Sequence, residues 1–250
     1  MFCTYYHLVT RLPNDNIYNM RKIKFIEEEF YHIFNKGVDK RIIFQDHDDI
    51  NRFFQSMKEF NVLEPIGSIY ENSFNKKLGN PVTKSKQKLV NFICYCLNPN
   101  HYHFILEPLV ENGIEKFMQR IGTGFTRYFN NKYKRSGVLF QGPFKAVHIN
   151  TNEQLLHTSI YINLNYKVHQ LGNGVTKLVK SSWGEYTNEK YGDINNLICK
   201  KDIILKQFKN NTDYKKFAES SLKDILIRRK TSEEDKKDLF FTNLVTGLPS

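Results

Sequence analysis

The pattern of apolar and polar positions along the chain predicts both strands and helices. Residues 30–34 and 88–97 are rich in β-branched and aromatic side chains, which is typical of strands. Residues 101–106 form another such run, and only the turn Asn98-Pro99-Asn100 separates it from the run before it. Because so short a connection joins antiparallel neighbours, we expect these two runs to form a hairpin.

Apolar residues spaced three and four apart predict helices in most of the remaining chain. The predicted helices lie at about residues 46–57, 114–133, 151–166, 200–209 and 212–229. Thr151 is suited to cap the third of these, and residues 140–149 before it are strand-like. The order of strands and helices predicts an α+β fold, with a mainly antiparallel sheet flanked by helices.

Charge and composition narrow the kind of partner. The chain of 250 residues has a net charge of +11 and contains 20 Phe and 14 Tyr. This excess of positive charge favours a polyanionic partner such as nucleic acid. No segment is long and apolar enough to span a membrane, and the N-terminus lacks the features of a signal peptide. The four cysteines do not form a disulfide pattern, so we expect a cytoplasmic protein.

Two histidines in the second strand of the hairpin are candidates for a metal site. Alternate side chains of a strand share a face, so His101 and His103 are expected to project together. Two imidazoles on one face can chelate a divalent metal ion. Two hydrogen-bonded surface histidines would give the same pattern.

The helix predicted at residues 151–166 carries a candidate nucleophile. Tyr161 and Asn165 are four residues apart and therefore lie on the same helical face. A tyrosine beside a polarised phosphate can attack phosphorus, and an amide oxygen one turn later can complete a metal site. An ordinary amphipathic helix with a tyrosine at its edge is the alternative interpretation.

A cationic and aromatic segment lies between these two features. Cations bind phosphates and aromatic rings stack on unpaired bases, so the segment is a candidate for binding single-stranded nucleic acid. Its candidate residues are Arg127, Lys132, Tyr133, Lys134, Arg135, Gln141 and Lys145. A solvated helix end would also account for these charges.

Taken in order, these segments resemble the single-tyrosine His-hydrophobic-His transposases, in particular the REP-associated tyrosine transposases and their insertion-sequence relatives. The resemblance begins in the run from Tyr31 to Arg41 and continues through the segment from Cys96 to His103. It is carried further by Tyr128-Phe129-Asn130, by the segment 137–145, by Tyr161-Ile162-Asn163-Leu164-Asn165, and by Trp183 and Tyr186. The order and spacing of these motifs are more specific than any one of them.

The resemblance implies a metal-dependent endonuclease and strand-transferase that acts on single-stranded DNA at hairpins. By this resemblance, His101, His103 and Asn165 are expected to bind Mg²⁺ or Mn²⁺, and Tyr161 is expected to form a 5′-phosphotyrosine. The implied fold is a ferredoxin-like endonuclease core. Some relatives build the site from two chains, so a homodimer with the tyrosine helix supplied in trans stays open.

The resemblance also divides the chain into a transposase domain at residues 23–190, an N-terminal extension at 1–22 and a C-terminal helical extension with a tail at 191–250. The sequence departs from the family in three places. Tyr102 replaces an aliphatic residue, Pro143 replaces a frequent arginine, and Tyr166 replaces a frequent proline. Tyr102 faces away from the histidine pair but adds a second tyrosine near it.

Three other functions fit some of these residues. The first is a domesticated hairpin-DNA-binding protein that no longer transposes. The second is a replication initiator or relaxase, which uses the same metal and tyrosine but usually a different order of motifs. The third is a zinc-binding regulator that uses Cys94, Cys96, His101 and His103, although their spacing matches no common zinc finger. For the cysteines alone, core packing is the favoured interpretation.

Overall fold

Five antiparallel strands form one sheet in this computed structural model, which describes residues 23–70, 87–168, 178–188 and 197–227. The strands are β1 (Phe30–Lys36), β2 (Val90–Asn98), β3 (His101–Pro108), β4 (Lys145–Ile149) and β5 (Lys180–Ser181). Their order across the sheet is β4-β1-β3-β2-β5, and every pair of neighbours is antiparallel. The predicted α+β fold and the β2–β3 hairpin are confirmed. The N-terminal extension at 1–22 and the end of the tail lie outside the described residues.

Helices flank the sheet. They are α1 (His47–Glu59), α2 (Gly113–Lys132), α3 (Asn152–Asn163), α4 (Asn165–Val168), α5 (Trp183–Thr187), α6 (Asp202–Leu205) and α7 (residues 211–227). The Thr151 hydroxyl accepts a hydrogen bond from the Gln154 N–H and caps α3, as predicted. The single helix predicted at 151–166 is wrong in one respect, because Leu164 has φ −110° and ψ 13° and interrupts it. Asn165 therefore begins a new helical turn.

The two faces of the sheet are covered by different helices, which form two apolar cores. Helices α1 and α2 pack on one face, where Phe53 of α1 packs against Phe104 of β3 and against Phe125 of α2. Helices α3, α5 and α7 form the second core around Ile105. Adjacent residues of β3 thus contribute to opposite cores, which confirms the predicted alternation of its side chains.

The turn before β3 is fixed by the chain that leaves β1. The Gly37 N–H donates to the Asn100 carbonyl at 2.8 Å, and the Ile43 and Phe44 N–H groups donate to the Pro99 carbonyl at 2.7 and 3.0 Å. A Cβ atom at Gly37 would collide with the Arg41 carbonyl oxygen. Only glycine therefore allows this close approach, which sets the position of the histidine strand against β1.

A buried hydrogen-bond network holds α3 against the sheet. Asn163 donates to the Tyr214 hydroxyl at 2.9 Å and accepts from the Ser182 hydroxyl at 2.5 Å. The Ser182 hydroxyl also accepts from the Tyr95 N–H at 2.9 Å, which connects the network to β2. Because Tyr214 belongs to α7, residues of the predicted C-terminal extension help to fix the helix that carries Tyr161.

Replacement of Tyr214 by Phe is expected to destabilise the protein without enlarging a cavity. The change removes the hydroxyl that accepts from the buried Asn163 amide, and an unpaired buried amide costs about 1–3 kcal/mol. Denaturant unfolding of wild type and Tyr214→Phe measures the difference. Tyr70→Phe is a matched control, because Tyr70 is 75% exposed. Equal stability of Tyr214→Phe and wild type would contradict the importance of this network.

Candidate active site

The register between β1 and β3 brings four polar or aromatic side chains to one face of the sheet. Phe34 lies opposite His103 and Lys36 lies opposite His101, and directly opposed side chains of antiparallel strands share a face. The ring centroids of His101 and His103 are 5.2 Å apart. The predicted pairing of the two histidines is confirmed.

The hydrogen bonds around His101 define which of its nitrogens carries the proton. Its Nδ1 lies 2.6 Å from the Asn100 side-chain oxygen, which can only accept, so Nδ1 donates. Its Nε2 lies 3.0 Å from the Asn98 amide nitrogen, which can only donate, so Nε2 accepts. The Nε2 lone pair therefore points into the site, in the form that a metal ligand requires.

Asn165 completes this group from the opposite side. Its side chain is fully buried, and its oxygen lies 3.1 Å from His101 Nε2 and 2.8 Å from the Asn98 amide nitrogen. The imidazole nitrogen and the amide oxygen are both acceptors here, so two lone pairs converge. The Asn165 amide nitrogen is buried and has no hydrogen-bond partner among the described residues. The side chain is therefore oriented with its oxygen toward the site, which leaves its amide nitrogen without a hydrogen bond among the described residues.

The imidazole of His101 is held neutral. Burial lowers the pKa of His101, the Asn165 oxygen raises it because it could accept a hydrogen bond from the protonated ring, and the nearby charge of Lys36 lowers it again, with a net lowering. A neutral imidazole keeps its lone pair available at physiological pH, whereas an imidazolium cannot bind a metal ion.

Tyr161 lies beside the histidines in the same chain. Its ring is partly exposed and approaches the His103 ring edge-on, with a centroid separation of 5.8 Å and an interplanar angle of 81°. The structure therefore brings together Tyr161, His101, His103 and Asn165, the four residues predicted from the sequence. Tyr102 does not join them, because it is buried against Phe53 and Phe104 on the opposite face of the sheet.

His32 of β1 also belongs to this group and was not predicted from the sequence. Its Nε2 lies 2.9 Å from His103 Nδ1, and its ring centroid lies 6.4 Å from that of Tyr161. Burial lowers the pKa of His32 to about 4, so the side chain is neutral near pH 7. An isolated histidine in a strand carries no sequence signal of this role, and only the β1–β3 register reveals it.

The donor set fits a divalent metal ion bound partly by water. The neutral imidazole of His101 and the Asn165 oxygen converge beside the ring of His103, and oxygen and nitrogen donors are those used by Mg²⁺ and Mn²⁺. Within the described residues, no three His, Cys, Asp or Glu side chains form a cluster that could hold a metal ion. The fit therefore depends on Asn165 as the third donor.

The cysteines do not extend this donor set. Cys94 and Cys96 are fully buried in the second core, which agrees with the packing role expected for them. Burial raises the pKa of Cys96 to about 12, and neither cysteine belongs to a group of three His, Cys, Asp or Glu side chains that could hold a metal ion among the described residues. This environment disfavours the zinc-binding interpretation.

Comparison with protein families finds a match to part of the chain. The family model described as "Transposase IS200 like" matches residues 68–165, which include the histidine pair, Tyr161 and Asn165. This part of the chain is therefore similar to the IS200-like transposases. The match confirms the resemblance drawn from the sequence. No match is found among curated proteins.

The chain is also similar to a solved structure of a REP-associated tyrosine transposase bound to a REP hairpin. The two chains share 12% sequence identity, with a TM-score of 0.47. The similarity covers 70% of this chain and 93% of the other.

Two of the residues predicted to bind DNA are engaged in an internal cluster. The Lys132 ammonium lies 2.7 Å from Asp46 and 2.8 Å from Asp49, and the Tyr133 hydroxyl donates to Asp49 at 2.8 Å. Burial opposes the charge of Lys132, but its hydrogen bonds to these carboxylates raise its pKa. These contacts hold the end of α2 against the start of α1. Lys132 and Tyr133 therefore have a structural role, and DNA binding would be a second role for them.

The other predicted DNA-binding residues divide into two groups. Arg127 and Lys134 are exposed around the end of α2, and Arg135 donates to the Asn130 side chain and the Val138 carbonyl. Gln141 and Lys145 lie nearer the histidines: the Gln141 N–H donates to the Lys36 carbonyl at 2.8 Å, and Lys145 pairs with Phe34 across the β1–β4 register. Their role in binding DNA stays a prediction.

The structure adds Lys36 to these cations. Lys36 lies opposite His101, and its charge contributes to the low pKa of that imidazole. Lys36 therefore lies on the strand next to the histidine strand, and Lys145 lies one strand further out. No helix among the described parts of the chain is long and apolar enough to cross a membrane.

Proposed function

We propose that the protein is a metal-dependent endonuclease and strand-transferase that cuts single-stranded DNA at hairpins through a 5′-phosphotyrosine at Tyr161. The observation that carries the proposal is the convergence of Tyr161, His101, His103 and Asn165 in one chain, with the Tyr161 and His103 rings 5.8 Å apart. The family match supports the same chemistry. The hairpin substrate is taken from the resemblance and from the hairpin bound in the similar solved structure.

In the proposed reaction, Tyr161 is the nucleophile. Its phenolic oxygen forms a bond to the phosphorus of the scissile phosphodiester while the bond from phosphorus to the 3′ oxygen breaks. The phenolic proton is lost to solvent, and the departing 3′ oxygen takes up a proton to become a hydroxyl. One DNA end is then joined to the protein through its 5′ phosphate, and the other is free.

His101, His103 and Asn165 are the residues that would hold Mg²⁺ or Mn²⁺. A bound metal ion would supply Lewis-acid polarisation of a phosphate oxygen and stabilise the charge that develops there. The chain itself orients these ligand atoms, because Asn98 donates to both His101 Nε2 and the Asn165 oxygen. Lys36, beside His101, would attract the phosphate backbone.

Rejoining uses the same atoms in reverse. A 3′ hydroxyl attacks the phosphotyrosine, the new phosphodiester forms and Tyr161 is released with its proton restored. The energy of the original phosphodiester is conserved in the covalent intermediate, so the exchange of strands needs no nucleotide cofactor. Transposition, as opposed to cutting alone, depends on this second step.

A cleavage assay with hairpin-bearing single-stranded DNA from beside the gene tests the proposal. The full chain is incubated with 5′- or 3′-labelled DNA and Mn²⁺, and the products are separated on a denaturing gel. We expect a covalent protein–DNA band together with a free 3′-hydroxyl fragment, and loss of both with EDTA. Tight hairpin binding without any cleavage would instead support the domesticated DNA-binding protein.

Lys36→Gln is expected to weaken DNA binding by neutralising one phosphate contact. Each phosphate contact to single-stranded DNA contributes about 0.7 to the slope of log affinity against log salt, so the slope should fall by about that amount. Fluorescence anisotropy at several salt concentrations measures it. Lys116→Gln is the matched control, because Lys116 lies in the first turn of α2 and donates to the Glu111 carbonyl. Equal slopes for Lys36→Gln and wild type would contradict the role of Lys36.

A further inference from the structure

We infer that His32 is a positioning residue that fixes the tautomer and orientation of His103, so that Nε2 of His103 is the nitrogen offered to the metal ion. The inference rests on the proposed function, because it concerns a metal ligand of that site. His32 lies on β1, whereas the proposed metal ligands and the nucleophile lie on β3, α3 and α4. The inference is supported by the geometry of the His32–His103 contact, the tautomer it allows, the contacts of His101 and the packing around the pair.

The contact between the two imidazoles has the geometry of an in-plane hydrogen bond. His32 Nε2 and His103 Nδ1 are 2.9 Å apart, and the planes of the two rings differ by 28°. The ring centroids are 5.1 Å apart, close to the nitrogen separation plus the radii of two rings. The two nitrogens therefore point at one another, as an N–H and a lone pair in nearly common planes must do.

Only one of the two possible proton positions leaves His103 able to bind a metal through Nε2. If His32 Nε2 donates, neutral His103 carries its proton on Nε2 and has no lone pair there. If His103 Nδ1 donates, Nε2 keeps its lone pair and His32 accepts through Nε2. The second arrangement is the one in which a hydrogen bond at the distal nitrogen orients a metal-binding imidazole and raises its basicity.

The orientation of His101 is fixed by an equivalent hydrogen bond. Its Nδ1 donates to the Asn100 side-chain oxygen at 2.6 Å, which leaves Nε2 as the acceptor. Both histidines of the pair thus have a side chain that can accept a hydrogen bond placed against Nδ1, one from the turn before β3 and one from β1. The same tautomer at both positions would direct two Nε2 lone pairs into the site.

Packing on both sides limits rotation of the His32–His103 pair. Phe34 lies next to both rings, with centroid separations of 4.9 Å from His32 and 5.6 Å from His103. Tyr161 approaches both rings edge-on, at 6.4 and 5.8 Å. Rotation of His32 would therefore disturb the contacts of the nucleophile as well as those of a metal ligand.

The first test observes the tautomer directly in the metal-free full-length protein. Long-range ¹H–¹⁵N NMR distinguishes protonated from unprotonated imidazole nitrogens, with His103 assigned by the loss of its signals in His103→Gln. We expect Nδ1 of His103 to be protonated in wild type and the Nε2-protonated form to appear in His32→Phe. Protonation on Nε2 in wild type, or an unchanged tautomer in His32→Phe, overturns the inference.

The second test measures Mn²⁺ affinity by electron paramagnetic resonance of the free ion. Loss of a hydrogen-bond partner of a metal-binding histidine typically lowers metal affinity 10–100-fold, and we expect about 10-fold for His32→Phe. His32→Gln, which supplies an amide oxygen as acceptor, should recover part of the loss. His148→Phe is the control, because His148 contacts Glu29 and Tyr31, away from the histidine pair.

The two tests separate failure of the inference from failure of the proposed function. Normal Mn²⁺ affinity in His32→Phe, with affinity lost in His101→Ala, rejects the role of His32 and leaves the metal site intact. Absence of Mn²⁺ binding in wild type rejects the metal-dependent function. In that case, the NMR experiment still decides whether His32 sets the tautomer of His103.

Discussion

Tyr161→Phe is expected to abolish formation of the covalent protein–DNA adduct. The change removes only the phenolic oxygen and keeps the ring that packs at 5.8 Å from His103, so the site should keep its shape. Removal of a catalytic nucleophile lowers turnover by several orders of magnitude, and we expect at least about 1,000-fold here. A denaturing gel of Mn²⁺ reactions with labelled hairpin DNA measures the adduct.

The structure indicates that Tyr102 cannot replace Tyr161 as the nucleophile. Tyr102 is next to both histidines in sequence, but its ring is buried on the other face of the sheet and burial raises the pKa of its hydroxyl. Tyr166→Phe is a matched control from the adjacent helical turn and should keep full activity. An adduct of normal yield in Tyr161→Phe would show that the nucleophile has been assigned to the wrong residue.

His101→Ala is expected to remove cleavage while hairpin binding survives. The change deletes the Nε2 lone pair that converges with the Asn165 oxygen at 3.1 Å, and with it one proposed metal ligand. We expect cleavage to fall at least about 100-fold, because the charge on the reacting phosphate loses its Lewis acid. The predicted DNA-binding cations are unchanged, so affinity for the hairpin should stay within a factor of about three of wild type.

Two further variants make the His101 experiment specific. His101→Ala also removes the contacts that Asn98 and Asn100 make with the imidazole, so His101→Gln, which keeps a polar side chain, should be tested beside it. His148→Ala controls for loss of a histidine elsewhere in the sheet, and circular dichroism establishes that each variant is folded. Joint loss of DNA binding and cleavage in folded His101 variants would mean that the pair is structural.

The arrangement of the site was largely predictable because its main signals are local in sequence. His101 and His103 are two residues apart in a strand, and alternation alone places them on one face. Tyr161 and Asn165 are four residues apart, and their common orientation survives the break at Leu164 because the chain resumes a helical turn at once. The fold class followed in the same way from the order of strands and helices.

Contacts between distant segments were not predictable from these patterns. His32 is 71 residues from His103, and its role appears only through the β1–β3 register. Asn98 was read as a turn residue, yet its amide contacts both His101 and Asn165. At the end of α2, a contact between distant segments occupies a residue that was predicted to bind DNA. Lys132 forms ion pairs with Asp46 and Asp49 at the start of α1.

The C-terminal segment was also more closely tied to the site than its sequence indicated. Helix α7 was expected as an extension outside the transposase domain. Instead, Tyr214 of α7 is fully buried and accepts from Asn163, which lies between Tyr161 and Asn165 in sequence. A helical periodicity indicates that α7 has an apolar face, but not which element that face will contact.

The most direct test of the proposed function is to identify the amino acid to which the DNA becomes covalently linked. Wild-type protein is reacted with hairpin DNA and Mn²⁺, the adduct is digested with nuclease and protease, and the modified peptide is sequenced by mass spectrometry. We expect a nucleotide linked through its 5′ phosphate to Tyr161. A nucleotide on any other residue, or no modified peptide from a reaction in which the DNA has been cut, would contradict it.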